Sequence, residues 1–210
     1  MRRIPWILFF AMAVLLLEGC RPKVTRFTFE PLDVGSDPVQ AACDDAAAWT
    51  LRAGGFTVTV TPKADYTVRG IVLSTRRYRH DRNAVLSPCD VALAWGKMAD
   101  GDVLNEVSWD QSGRWYWWSY DSDFPFDNAT IARYSANTHV IPSTPNVRRA
   151  VLGLDAGDRV SLSGQLVFVD ATDGSSTWWW HSSLSREDTG EGSCEVLFLR
   201  SLEVDGRVYE

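Results

Sequence analysis

Beyond residue 55 the chain alternates between apolar and polar positions. Phe56-Thr57-Val58-Thr59-Val60 makes every second side chain apolar, which is the mark of a half-buried strand. Further strands are expected over residues 66–73, 103–109, 114–120, 159–169, 177–182 and 195–204. Asp110-Gln111-Ser112-Gly113 is turn chemistry between two of these strands and predicts a hairpin. Helices are expected where the alternation stops. Asp37-Pro38 suits an N-cap followed by proline, and residues 41–52 are alanine-rich with Gly54-Gly55 as a stop. Residues 88–99 predict a short helix ending near Gly96, and residues 145–154 another.

Two strands share a glycine at mid-length. These are Val68-Arg69-Gly70-Ile71-Val72 and Leu162-Ser163-Gly164-Gln165-Leu166. A glycine there marks a bulge or the sharp bend of a small closed sheet. Five or more strands with a helix among them predict a mainly β (α+β) fold, a small OB-like or other partly closed antiparallel barrel with two or three short helices.

The first residues follow different physics. Arg2 and Arg3 precede an uncharged apolar run over residues 4–17. That run is too short to span a bilayer of ~30 Å, which needs about 20 residues, and it suits the apolar centre of an export signal. It ends at Leu17-Glu18-Gly19-Cys20, which resembles the lipobox of bacterial lipoprotein precursors. The resemblance implies cleavage before Cys20 and acyl chains on that cysteine. Two or three chains give an effectively permanent anchor. Arg21 stands where some relatives carry an aspartate that retains them at the inner membrane, so the resemblance implies the outer membrane, facing the periplasm. Residues 1–19 are then a signal peptide, residues 20–36 a lipidated tether rich in Pro22, Pro31 and Gly35, and residues 37–210 one globular β-rich domain. A second resemblance rests on LSPCDVALAWGKMAD (86–100), ANTHVIPS (136–143), GDRVSLSGQLV (157–167) and SSLSREDTGEGSCE (182–195). These blocks look like those of an uncharacterised group of bacterial proteins with no established activity, and the likeness covers roughly residues 65–205.

Charge narrows the partners. Losing two Arg and one Glu with the signal takes the net charge from −6 to −7. An acidic chain is a poor nucleic-acid ligand, because counterion release needs clustered cations. The one basic cluster, Arg76, Arg77, Arg79 and Arg82, is interrupted by Asp81 and reads as a solvated face. With Cys20 given to lipid, Cys43, Cys89 and Cys194 remain. An oxidising compartment allows one disulfide among three possible pairings, and Cys89–Cys194 is favoured because both flank turn-like segments.

Tryptophan is the strongest oddity. Ten are present in the chain, six of them in RWYWWSY (114–120) and TWWWHSS (177–183). On strands, Trp115 and Trp117 share a face, as do Trp178 and Trp180. Such rings either fill both faces of a covered sheet or form a platform for sugars or apolar groups. Trp115, Trp117, Trp178 and Trp180 are therefore candidate binding residues. The acidic, glycine-punctuated segment 185–195 adds Asp188 and Glu191 as candidates, with an ordered turn as the competing reading. Asp121, Asp123 and Asp127 lack the glycine and the glutamate of a calcium loop. No metal site, cofactor or nucleotide loop is expected.

Of His80, His139 and His181, His139 is the candidate catalyst, which would need a nucleophile and an orienting carboxylate in reach, and the sequence offers Ser182, Ser183, Ser185 and Asp188. It lacks the spacing of a nucleophile elbow or of paired metal ligands. The sequence thus favours a non-catalytic binding or structural module of the cell envelope with a protein or glycan partner. The alternative is an envelope hydrolase with His139 as base and Asp188 or Asp110 beside it.

Overall fold

The computed structural model describes residues 21–43, 46–185, 188, 190 and 192–210. Cys20 and Glu191, singled out above, lie outside the described residues. Among these residues, twelve strands and three short α-helices follow in order. β1 is Arg26–Phe27, β2 Val39–Ala42, β3 Trp49–Ala53, β4 Phe56–Arg77 and β5 Cys89–Ala94. Then come α1 Gly101–Leu104, β6 Val107–Ser112, β7 Trp115–Tyr120, α2 Asn128–Arg133, β8 Ser135–Pro142 and α3 Pro145–Val151. β9 Arg159–Thr172, β10 Thr177–His181, β11 Glu195–Val204 and β12 Arg207–Tyr209 complete the chain.

Five strands pair in a ring. β4 pairs β5, β5 pairs β8, β8 pairs β11, β11 pairs β9, and β9 returns to β4. Every pairing is antiparallel except β8–β11, which is parallel. The mainly β, OB-like expectation is met, with that one parallel pair as a refinement. β4 can serve both neighbours because it is long and bends at two register shifts, at Pro62/Ala64 and at Val72/Ser74. The two mid-strand glycines sit where backbones press together. A Cβ on Gly70 would meet the Ala94 carbonyl oxygen at 2.5 Å, and one on Gly164 would collide with the Phe198 carbonyl.

Alternation decides what faces where. Cys89, Val91 and Leu93 of β5 pack with Val68, Leu162, Leu166, Leu197 and Leu199 inside the ring. α3 joins this core through Val147, Ala150 and Val151. It starts where the Thr144 hydroxyl accepts from the Val147 N–H at 3.1 Å, with Pro145 as its first residue. The intervening residues of β5 and β8 face outward, where the β6–β7 hairpin covers part of them and packs Val107 against Ala92, Ala94 and Ile131.

Several expectations need correction. The described residues of 41–52 form no helix. β2 and β3 both pair with β4 there, and Gly54 and Gly55, at φ +57° and +87°, make a two-residue hairpin turn instead of a helix stop. The apolar run after Pro88 is a strand buried on both faces, and periodicity alone does not separate that from a short helix. The second hairpin turns at Gly113–Arg114, two residues later than expected. Residues 21–36, the described part of the expected tether, are not free of the domain either. Thr25 N–H donates to the Val208 carbonyl at 2.7 Å, Thr28 N–H to Gly206 at 2.8 Å, and Val34 is buried. The Cys89–Cys194 disulfide is absent. The Cys89 thiol points into the ring and donates to the Asp90 carbonyl at 3.3 Å, whereas Cys194 lies on the outside. β8 also runs between their strands, which puts the two about 9–10 Å apart laterally, beyond disulfide reach.

Candidate functional site

On the outer face of the ring Asp90 of β5 lies directly opposite His139 of β8. Both are buried, and His139 Nδ1 stands 2.9 Å from Asp90 Oδ1. The distance is that of an ion pair, but Nδ1 is not aligned for a hydrogen bond. Asp90 Oδ1 instead accepts from Arg114 Nη1 at 2.7 Å. The Arg114 guanidinium and the His139 ring therefore converge on one buried carboxylate, whose other oxygen has no hydrogen-bond partner among the described residues.

Arg114 is the keystone of this corner. It occupies the second turn position of the β6–β7 hairpin at φ +73°, a conformation costly for a residue with a Cβ. Its guanidinium also donates to Asp81 at 2.9 and 3.1 Å and to the Ser87 carbonyl at 2.9 Å. The Tyr78 ring lies 3.7 Å beneath it, and the Tyr78 hydroxyl accepts from the Arg114 N–H at 3.0 Å. Burial, and then the Asp90 charge, pushes the Tyr78 phenol up to about 12. A polar chain ties the hairpin down further. Ser74 Oγ donates to Gln111 Oε1, Gln111 Nε2 to Asn137 Oδ1, and Asn137 Nδ2 to the Arg114 carbonyl, at 2.8, 2.7 and 3.0 Å. Each member satisfies the next in a place where unpaired polar atoms are costly.

This corner forms the floor of a cleft of about 270 Å³. Its walls are Trp115 from the hairpin, Trp179, Trp180 and His181 from β10, and Gly192 and Cys194 from the segment before β11. The Trp180 ring lies 4.6 Å from the His139 ring and 5.4 Å from the Arg114 guanidinium. His181 stacks on Phe168 at 4.2 Å and approaches Asp170 at 3.1 Å, which fixes the rim beside Trp179. Trp115 is also the ridge between this cleft and a smaller one of about 140 Å³ that Asn137 and Asp188 line. A space of this size takes one ring or one short side chain.

The candidate residues divide clearly. Trp115 and Trp117 share one exposed face of β7, as expected. The β10 triplet alternates as expected, but its exposed member is Trp179, at 67%. Trp178 is core, packed edge-on against Phe56 at 6.2 Å, and does not line this cleft. Trp180 is half-buried and forms the inner wall. The carboxylate at His139 is Asp90, neither Asp188 nor Asp110. Asp188 accepts from Ser183 Oγ at 2.6 Å, and Asp110 accepts from the Gln111 N–H at 2.7 Å. Ser182 Oγ donates to the Ser183 carbonyl and accepts from Val196 N–H, so it serves the turn. Asp90, Arg114 and Trp179 were not among the candidate residues read from the sequence. One signal was there: Asp90 is a lone charge in the otherwise apolar run CDVALA.

Among the described residues no group of three or more His, Cys, Asp or Glu side chains is placed to hold a metal ion, and no helix is long and apolar enough to cross a membrane. No protein-family model matches the chain, and no curated protein or solved structure is similar enough to count as a relative.

Proposed function

We propose that the chain is a lipoprotein held by acyl chains on Cys20 at the periplasmic side of the outer membrane, and that its folded part is a non-catalytic module binding a protein or glycan of the envelope. The observation that carries the binding reading is the cleft, in which Trp115, Trp179 and Trp180 surround a floor of Arg114 and His139. Indole faces stack on sugar rings and planar groups, while the floor supplies polar partners. The cleft lies on the face of the second and third ring strands, beside the connections β4–β5 and β9–β11. In OB folds these are the places where oligonucleotides and oligosaccharides bind. That is a fold-level analogy, and the net charge argues against the nucleic acid.

The test is retention of solubilised envelope material on the immobilised full chain and on a Trp115→Ala/Trp179→Ala variant. Both rings are exposed, so the variant should keep its fold. Retention by the wild type alone supports the reading, and protease treatment of the retained material separates protein from glycan. Equal retention by both chains, or none by either, sinks it.

A second reading has an observation of its own, the 2.9 Å approach of the Asp90 carboxylate to His139. A base oriented by a carboxylate is the arrangement of many hydrolases. Here Asp90 is shared with Arg114, and Ser182 and Ser183 are committed to the turn, so the nucleophile would be water. Hydrolysis of envelope esters or amides by the wild type that His139→Gln abolishes, with retention unchanged, would establish this reading over the first.

A further inference from the structure

The segment that follows Cys20 is held rigidly against the last strand. Lys23 N–H donates to Asn146 Oδ1 at 2.6 Å, and Asn146 Nδ2 donates back to the Lys23 carbonyl at 2.8 Å. Thr25 Oγ1 accepts from the Glu210 N–H at 3.1 Å, and Thr28 Oγ1 donates to Glu203. β1 pairs with β12, so this backbone has little freedom.

Thr28 is half-buried with its hydroxyl on Glu203, whereas Phe27 and Phe29 on either side of it are exposed. They are the most exposed phenylalanines among the described residues, at 62% and 95%. Exposing both rings to water is unfavourable, and no described residue buries them. Arg21, Lys23 and Arg26 are exposed beside them, against the single acidic Glu30 within residues 21–30. Only Arg21 and Pro22 separate Cys20 from the fixed Lys23, so the three steps between them reach about 11 Å at most. A lipid on Cys20 would therefore keep this face close to the bilayer.

We propose that Phe27 and Phe29, with Arg21 and Lys23, form the membrane-facing surface of the protein, the two rings lying among lipid headgroups and the cations against anionic ones. Aromatic rings favour that layer, and basic side chains beside an acyl anchor reinforce attachment. The domain then rests on the bilayer in a fixed orientation. This inference rests on the lipid-anchor reading and is independent of the cleft.

The test uses the lipidated full chain in vesicles of phosphatidylethanolamine and phosphatidylglycerol. A photo-reactive phenylalanine analogue replaces Phe29 in one sample and Trp179 in another. The expected result is phospholipid adducts from position 29 and none from position 179, with the yield at 29 falling several-fold when Phe27→Ser is added. Mass spectrometry of the N-terminal peptide reports the acyl chains on Cys20 in the same samples. Acylated Cys20 with no lipid adduct at position 29, or equal adducts at both positions, overturns the proposal. So do protein adducts in place of lipid when the experiment is repeated in intact envelope. Absence of acyl chains on Cys20 removes the anchor reading, and this proposal with it.

Discussion

Arg114 keeps an unfavourable backbone conformation because its side chain neutralises buried Asp90, bridges to Asp81 and covers Tyr78. Removing the guanidinium leaves Asp90 buried beside His139 alone, and one-sided loss of a buried ion pair costs about 3 kcal/mol. Arg114→Ala should lose that stability in denaturant unfolding. Arg114→Gly should lose about 1 kcal/mol less, although it removes more atoms, because glycine adopts φ +73° without strain. An equal or larger loss for the glycine variant would contradict the strain argument. The same corner predicts behaviour in base. Burial, with the Asp90 charge adding to it, pushes the Cys89 thiol up to about 12 from an ordinary 9.0, and Tyr78 rises to about 12 from 10.0. Between those limits the unfolded chain gives up protons that the folded chain keeps. Stability is therefore complete below about pH 9 and falls as the pH rises toward 12. Unfolding midpoints across that range should show the decline, and Cys89→Ala should make it shallower. Cys89 should also resist alkylation at neutral pH, since the thiolate is the nucleophile.

At the scale of elements, the ring depends on two close crossings. Gly164→Ala would drive a methyl group into the Phe198 carbonyl between β9 and β11, where the backbone cannot move without breaking the ladder. It should destabilise by about 3 kcal/mol or prevent folding. Gly113→Ala has open space around it and only its φ of +57° to suffer, so about 1 kcal/mol is expected, by the same unfolding measurement. The two mid-strand glycines were legible in the sequence because only crowding or bending keeps glycine in an otherwise apolar strand. The alternating strands were legible for a similar reason, since one-sided burial writes period two into the chain. Residues 41–52 were not. Their alanines suit a helix, but the long β4 offers an unpaired edge, and pairing with it overrides local propensity. β5 was hidden because burial on both faces erases its alternation. Of the site, the shared face of Trp115 and Trp117 could be read from spacing. The meeting of Asp90, Arg114 and His139 could not, since it depends on a hairpin folding back over two strands distant in sequence.

For the molecule as a whole, the cleft exists because insertions between ring strands converge on one outer face. The β6–β7 hairpin enters between β5 and β8, and β10 with the turn after it enters between β9 and β11. The ring supplies stability, while the insertions supply tryptophan, which explains why the aromatic residues cluster in two short runs. The central claim is that this cleft binds an envelope ligand. The most direct measurement is the affinity of the retained envelope partner for the wild type and for Trp179→Ala, by calorimetry at equal folded fraction. Trp179 is exposed and should bear on binding without bearing on the fold. The account predicts saturable binding by the wild type and at least about tenfold weaker binding by the variant, the loss of one stacked ring. Equal affinity for the two chains would contradict it.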